Sequence, residues 1–258
     1  MKFQRRCSSR NRASKGPTVS ICIPVYLRNE LDKCFLNELL LSIESQNLMD
    51  HEVVISEDAK SPIRLNKKVL DDSFTGLRTV RIVSNPNSGI SSNTNFSIMA
   101  AGGEIIKLMF QDDLFSHERA LGDIVSSLRN SNKKWLLSAS DHVNQQTKKT
   151  GPVIHPKLKK GLFVGVNSVS SPSVTAFRAG HFIEFSNTLE LMMDCEWYIR
   201  MVHNFGQPVI LNRTAIINRL HPNQAQHSLK SSLNVEIEKI KLMHNKSQLR
   251  KLNCKCRI

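Results

Sequence analysis

Along the first hundred residues the spacing of apolar positions switches repeatedly between the strand and helix periods. Residues 18–25 form a β-branched run closing on Pro24, Val25 and Tyr26, which predicts a strand. Asn29, with Asp32 three positions on, opens a helix whose apolar stripe includes Leu31, Phe35, Leu39 and Ile43. Residues 51–56, centred on Val53, Val54 and Ile55, predict a second strand ending in Glu57 and Asp58. A short helix over 62–70, a third strand over 77–84, a helix over 90–101 closed by Gly102 and Gly103, and a fourth strand over 104–110 follow. That fourth strand is nearly continuous in apolar residues (Ile105, Ile106, Leu108, Met109, Phe110), as a strand covered on both faces requires. Strands alternating with helices predict an α/β fold with a mostly parallel, doubly wound sheet.

The second half is less regular. Ser116 precedes helically spaced Ala120, Leu121, Ile124, Val125 and Leu128; residues 191–205 predict a helix ending at Gly206. Residues 229–252 predict a basic helix with Leu233, Ile237, Ile240 and Leu249 on its apolar side. The Lys-rich stretch 147–160, broken by Gly151, Pro152 and Pro156, predicts an exposed loop or hairpin. Residues 165–178 either wall a cleft or act as a linker. No internal repeat is present.

Composition narrows the class. The chain has 258 residues, 40% of them hydrophobic, with 9 Pro and 11 Gly, enough for one sizeable core and a small appended subdomain. No apolar run approaches the roughly 18 residues of a membrane span, and the basic N-terminus lacks a signal-peptide core, so a cytoplasmic protein is expected. Cys7, Cys22, Cys34, Cys195, Cys254 and Cys256 lack zinc-site spacing and read as reduced thiols. The net charge of +14 sits at the ends: residues 1–17 carry six Lys and Arg and residues 239–258 carry seven, with no acid in either. The body is therefore nearly neutral, which argues against a nucleic-acid partner. The basic tails are either solvated ends or contacts for the inner face of an anionic membrane.

The candidate chemistry lies at strand ends. Gln111, Asp112 and Asp113 follow the buried fourth strand, where open α/β sheets bind ligands. Adjacent carboxylates suit Mg²⁺ or Mn²⁺ shared with substrate phosphates, although acids also begin helices. Glu57 and Asp58 stand at the end of a second strand, and a site built from several strand ends is a better candidate than one pair. Asn93 and Asn95, in the polar segment after Asn85, offer amides for hydroxyls or phosphate. On the 191–205 helix, Asp194 lies to one side with Trp197, Tyr198 and Met201, while Glu196 is placed to pair with Arg200. Asp194 is either a base facing a cleft or an acid at a helix start.

Together these residues resemble the nucleotide-sugar-dependent glycosyltransferases of family 2, with a GT-A fold, over residues 18–228. The resemblance rests on Ser20 to Tyr26, on Ile55 to Asp58, on the helix between Asn85 and Gly103, on Gln111 to Asp113, and on Met193 to Arg200. It implies a nucleotide-sugar half over 18–113, an acceptor half over 114–228, and flanking basic segments at 1–17 and 229–258. By resemblance Pro24, Tyr26, Glu57 and Asp58 line the nucleoside pocket, with Asn93 and Asn95 nearby. Asp112 and Asp113 hold the metal that bridges the donor diphosphate. Asp194 is the catalytic base. Arg219 and His221, followed by Gln224 and Ser228, match the family's late segment beside the diphosphate, with His221 a further metal and donor contact. Two departures stand out: Phe110 replaces the first Asp of the usual Asp-x-Asp, and Glu57, Asp58, Ala59 and Lys60 replace Asp-Asp-Gly-Ser. The implied activity is inverting transfer, with Mn²⁺ or Mg²⁺, of a hexose or N-acetylhexosamine from a nucleotide diphosphate sugar, UDP favoured. The acceptor would be a saccharide or lipid-linked molecule in cell-surface polysaccharide or glycolipid synthesis. The alternative is a non-catalytic nucleotide-sugar-binding module of the same fold.

Overall fold

The computed structural model describes residues 16–65, 79–144, 150–222, 224 and 232–244. Eight strands form one sheet in the order β3-β2-β1-β4-β7-β6-β8-β5. Strands β1 (Val19–Val25), β2 (His51–Glu57), β3 (Val80–Ser84) and β4 (Ile105–Leu108) run parallel to one another. Strand β7 (Thr175–Arg178) opposes both β4 and β6 (Trp135–Asn144). Strand β8 (Val209–Leu220) runs parallel to β6, and the two-residue β5 (Leu114–Phe115) opposes β8 at the edge.

Every residue of β1 and β4 is buried, as the apolar runs predicted. Helices α1 (Glu30–Glu44), α2 (Ile90–Met99), α3 (Ala120–Arg129), α4 (Met193–Phe205) and α5 (Leu233–Met243) accompany the sheet. The start of α1 follows the capping signal: Asn29 Oδ1 accepts from Asp32 N at 3.1 Å, and the Asp32 carboxylate accepts from Arg28 N at 2.9 Å. Its buried stripe is Phe35, Leu36, Leu39, Leu40 and Ile43, whereas Leu31, expected on that stripe, is exposed.

Several expectations are corrected. Residues 62–65 are not helical, and the rest of the helix expected over 62–70 lies outside the described residues. The helix before Gly102 and Gly103 stops at Met99; Gly103 is required because a Cβ there would meet Ser20 N of β1 at 2.6 Å. The fourth strand is shorter than its apolar run, and Lys107 sits fully buried within it. The acids that follow do not begin a helix, since β5 intervenes before α3. Bridges Ser140 to Ile154 and Val143 to Thr150 fold part of the Lys-rich segment back antiparallel. Among the described residues Cys22, Cys34 and Cys195 are free thiols, and no helix is long and apolar enough to cross a membrane. The basic ends, apart from α5 and its neighbours, lie outside the described residues.

Candidate active site

The chain travels outward from β1 through β2 to β3 and then returns to β4 on the other side of β1, so the sheet's switch point lies between β1 and β4. Their ladder ends at Cys22 and Leu108, with Met109 N donating to Cys22 O at 3.0 Å. Pro24, two residues on, faces the same side and has no N–H to continue the ladder, so the strands part. Gln111 bridges the gap with its side chain. Its Oε1 accepts from Tyr26 N at 2.7 Å and its Nε2 donates to Tyr26 O at 3.1 Å, replacing the main-chain pair that a longer β4 would supply. Pro24 and the exposed Tyr26 ring therefore stand beside the parted strand ends.

On the β2 side, Glu57 and Asp58 are buried and hold main-chain N–H groups. Glu57 accepts from Leu65 N at 2.5 Å and from Arg64 at 3.2 Å. Asp58 accepts from Lys60 N and from Gly89 N, both at 2.8 Å, tying the strand end to the residue that opens α2. Gly89 has φ +110, a conformation that disfavours other residues. Asn93 and Asn95 do not present free amides to a ligand. Asn93 donates to Val25 O and Ser56 O and accepts from Ser56 Oγ, while Asn95 forms a reciprocal pair with the Phe185 backbone. Both are buried fixtures that fasten α2.

The expected metal set is brought together only in part. His221 Nε2 lies 3.1 Å from Asp112 Oδ2, but the Asp113 carboxylate turns inward and accepts from Ser171 Oγ at 2.8 Å. Burial, reinforced by the Asp112 charge, pushes the Asp113 carboxyl up to about 7, against hydrogen bonds from Ser173, Asn218 and Ser171. Among the described residues no three His, Cys, Asp or Glu side chains form a closed metal cluster. One carboxylate and one imidazole nevertheless fit a divalent cation whose remaining positions are filled by phosphate oxygens and water. His221 Nδ1 is buried without a hydrogen-bond partner. Arg219 stacks its guanidinium 4.7 Å from the Phe35 ring centroid, with Nη2 2.9 Å from Glu38 but no hydrogen bond aligned at either Nη atom. Burial lowers its pKa, opposed by Glu38, Asp112 and Asp113.

Asp194 stands in the first turn of α4. Its Oδ1 accepts from Cys195 N and its Oδ2 from Asn167 Nδ2, each at 2.6 Å. Burial pushes its carboxyl up to about 6 despite those bonds. Asn167 is itself fixed, accepting from Val169 N and Ser170 N and donating to Ser170 O. Ser170 has φ +118, and among the described residues no other non-glycine residue has a positive φ. Such strain costs on the order of 1–3 kcal/mol and persists only where its surroundings enforce it. Here Ser170 Oγ accepts from Ser140 and donates to Asn218 Oδ1 at 2.8 Å, and Asn218 Nδ2 donates to Ser171 Oγ at 2.7 Å. Ser171 in turn reaches Asp113. One hydrogen-bonded turn thus joins the strand-end acids to the α4 acid.

Glu196, as expected, binds Arg200, with contacts of 2.6 and 2.7 Å, and also His244 at 2.9 Å. Burial alone would raise its pKa, but these partners hold it below the usual value. Gln224 donates to Arg219 O at 2.7 Å, and Ser228 lies outside the described residues. Asn167 and Asn218 were not legible as site residues, and Gln111, marked beside the acids, was not legible as a latch on Tyr26, because each acts through a partner remote in sequence.

A parallel sheet with its acids at the switch point, completed by antiparallel strands that carry a second acid helix, defines a GT-A type glycosyltransferase. The chain belongs to the family described as Glycosyl transferase family 2, whose sequence model matches residues 20–206. Among similar solved structures, residues 1–349 of S. aureus TarS in complex with UDP-GlcNAc superpose with a TM-score of 0.67 at 15% identity, covering 91% of this chain and 69% of that one. The mannosyltransferase PcManGT of Pyrobaculum calidifontis, in complex with GDP-Man and Mn²⁺, gives 0.64 at 14% identity, covering 92% and 69%. M. tuberculosis glucosyl-3-phosphoglycerate synthase, with Mn²⁺, UDP-glucose and phosphoglyceric acid, gives 0.60 at 13%, covering 93% and 85%. A comparison with curated protein sequences finds no match.

Proposed function

We propose that this glycosyltransferase catalyses single-displacement, inverting transfer of a hexose or N-acetylhexosamine from a UDP-sugar to a hydroxyl of a saccharide or lipid-linked acceptor. The observation that carries the reading is the shared turn at Ser170 and Ser171, which ties Asp113 on one wall to Asp194 on the other. In the reaction the acceptor oxygen bonds to the anomeric carbon as the bond from that carbon to the β-phosphate oxygen breaks. The hydroxyl proton passes to Asp194, and the nucleoside diphosphate leaves. A carboxyl raised to about 6 is matched to proton transfer near neutrality, and the Asn167 bond holds one of its oxygens in place. Tyr26 and Pro24 border the nucleoside, and Asp58 shapes that wall through Gly89. Arg219 and His221, with buried nitrogens that lack hydrogen-bond partners, suit the diphosphate oxygens.

Asp112 and His221 would hold Mn²⁺ or Mg²⁺, which when bound neutralises charge on the departing diphosphate. Asp113 then serves as a buried support for Ser171 and Asn218. The test is donor hydrolysis across UDP-, GDP- and dTDP-sugars with Mn²⁺. Release of one nucleoside diphosphate, abolished by Asp194→Asn, sustains the proposal.

A second reading, a nucleotide-sugar-binding module without turnover, rests on Phe110, which packs against the core where the family's first acid would stand. It predicts nucleotide binding identical in wild type and Asp194→Asn, with no product from any donor.

A further inference from the structure

The segment 157–168 is a closed loop next to the proposed base. Its ends are pinned to each other: Lys157 N donates to Ser168 O at 2.9 Å, and Ser168 Oγ donates to Lys157 O at 2.5 Å. Leu162 plugs it into the core, and Val166 N closes on Gly161 O at 2.9 Å. Compact loops of this size with adjacent ends are frequently functional. What this one turns outward is unusual for a water-facing surface. Val164 and Val166 are 51% and 61% exposed on either side of Gly165, and Lys157, Lys159 and Lys160 are exposed beside them. Helix α5 abuts the loop, because a Cβ at Gly165 would lie 2.8 Å from Leu233, and that helix exposes Val235 and Leu242 seven residues apart.

Charge singles out the partner. From His142 to Ile183 the sequence has no Asp or Glu but six Lys and Arg. Among the described residues none of the three loop lysines forms an ion pair, while other lysines, such as Lys33 and Lys241, pair with nearby glutamates. Unpaired cations around projecting aliphatic side chains match an interface of anionic headgroups over acyl chains.

We infer that the 157–168 loop docks this enzyme on an anionic lipid surface, with Lys157, Lys159 and Lys160 on the headgroups and Val164 and Val166 dipping between them. The inference rests on the reading of Asp194 as base, because the same loop carries Asn167, whose amide holds the Asp194 carboxylate. Docking therefore holds the turn that carries Asn167 and its partner Asp194 near the lipid surface, as a lipid-borne acceptor would require. The loop does this independently of the basic chain ends.

The experiment is flotation of the full chain with vesicles of equal parts phosphatidylglycerol and phosphatidylcholine, beside vesicles of phosphatidylcholine alone. Wild type should float with the anionic vesicles only. Lys159→Gln and Lys160→Gln should each lower the partition coefficient roughly fivefold. Val164→Asp/Val166→Asp should abolish flotation, whereas Val164→Leu/Val166→Leu should retain it, and all variants should keep the wild-type melting temperature and UDP affinity. Equal flotation of wild type and the Asp and Gln variants would overturn the inference and assign any binding to the chain ends. So would a wild type that stays with the soluble fraction while turning over a water-soluble anionic acceptor. Donor turnover is measured separately, so loss of turnover with loop-dependent flotation intact would instead sink the transferase reading.

Discussion

At the scale of single residues, two buried ionisable groups make separate predictions. If Asp194 is the base it acts only when ionised, and the pH profile of turnover should rise through about 6 and level off above it. Asp194→Asn should lower kcat roughly a hundredfold to ten-thousandfold with nucleotide affinity unchanged, as measured by single-turnover kinetics and calorimetry. Lys107 is buried in the midst of β4, donating from Nζ to Leu108 O and to Ser173 O, and burial lowers its pKa to about 7. Below that value folding desolvates a charge that the unfolded chain keeps in water. Above it the folded group is neutral, and the unfolded state binds the extra proton until 10.5, so stability rises with pH across that window. Lys107→Met should therefore raise the melting temperature near pH 6, with the gain shrinking by about 1.4 kcal/mol per pH unit above about 7. The same change should slow turnover, because Ser173 O loses its anchor and Ser173 Oγ holds Phe110 N at 2.8 Å. A melting temperature that falls equally at every pH would refute the assignment of the cost to desolvation.

At the scale of elements, legibility followed how far each element depends on distant partners. β1, β2, α1 and α4 declare themselves through local period and caps, because burial on both faces or on one stripe dictates the residue types. The strands β5, β6, β7 and β8 were not foreseen. β5 has two residues and β7 four, and β8 alternates only weakly and breaks register against β6 near Ser138 to Ser140, so pairing rather than pattern creates them. The fourth strand stood out for its apolar run, yet the run hid Lys107. α5 was foreseen as a basic helix, but its attachment was not. Glu236 from α5 accepts from the N–H groups of Glu190, Leu191 and Met192, just ahead of the turn that carries Asp194. His244 closes the other contact on Glu196. Glu236→Ala should orphan those N–H groups and cost about 2–4 kcal/mol, visible as a lower urea midpoint. Glu236→Gln, which keeps an acceptor, should recover most of the stability and leave nucleotide affinity at the wild-type value. If Asp194 is the base, transfer should fall more than binding, since the displaced element is the helix that carries it.

For the whole molecule, ligand binding should report on the joint between β1 and β4, where the strand order reverses. The residues that the sequence marked at this joint, Pro24, Tyr26, Asp112 and Asp113, do gather at the switch point, because strand ends in such a sheet converge there. What the sequence did not reveal is that Asp113 faces inward, which leaves Asp112 and His221, more than a hundred residues apart, as the pair of the expected set that meets. The consequence is thermodynamic. If UDP and Mn²⁺ together occupy the crevice between β1 and β4, a hundredfold excess over Kd stabilises the fold by about 2.7 kcal/mol. For a domain of this size that is a rise in melting temperature of roughly 5–10 °C. Either component alone should give much less, since Asp112 and His221 are only two donors and the diphosphate must complete the set. Asp112→Asn should erase the Mn²⁺-dependent part of the rise while leaving the smaller effect of UDP alone, and chelation of the metal should do the same to wild type. Ser171→Ala should weaken neither binding effect strongly but should lower turnover, because it severs the link between the donor wall and the Asp194 wall rather than a contact to the nucleotide. A full thermal shift from UDP without metal, unaffected by Asp112→Asn, would show instead that the crevice binds nucleotide through its walls and Arg219 alone.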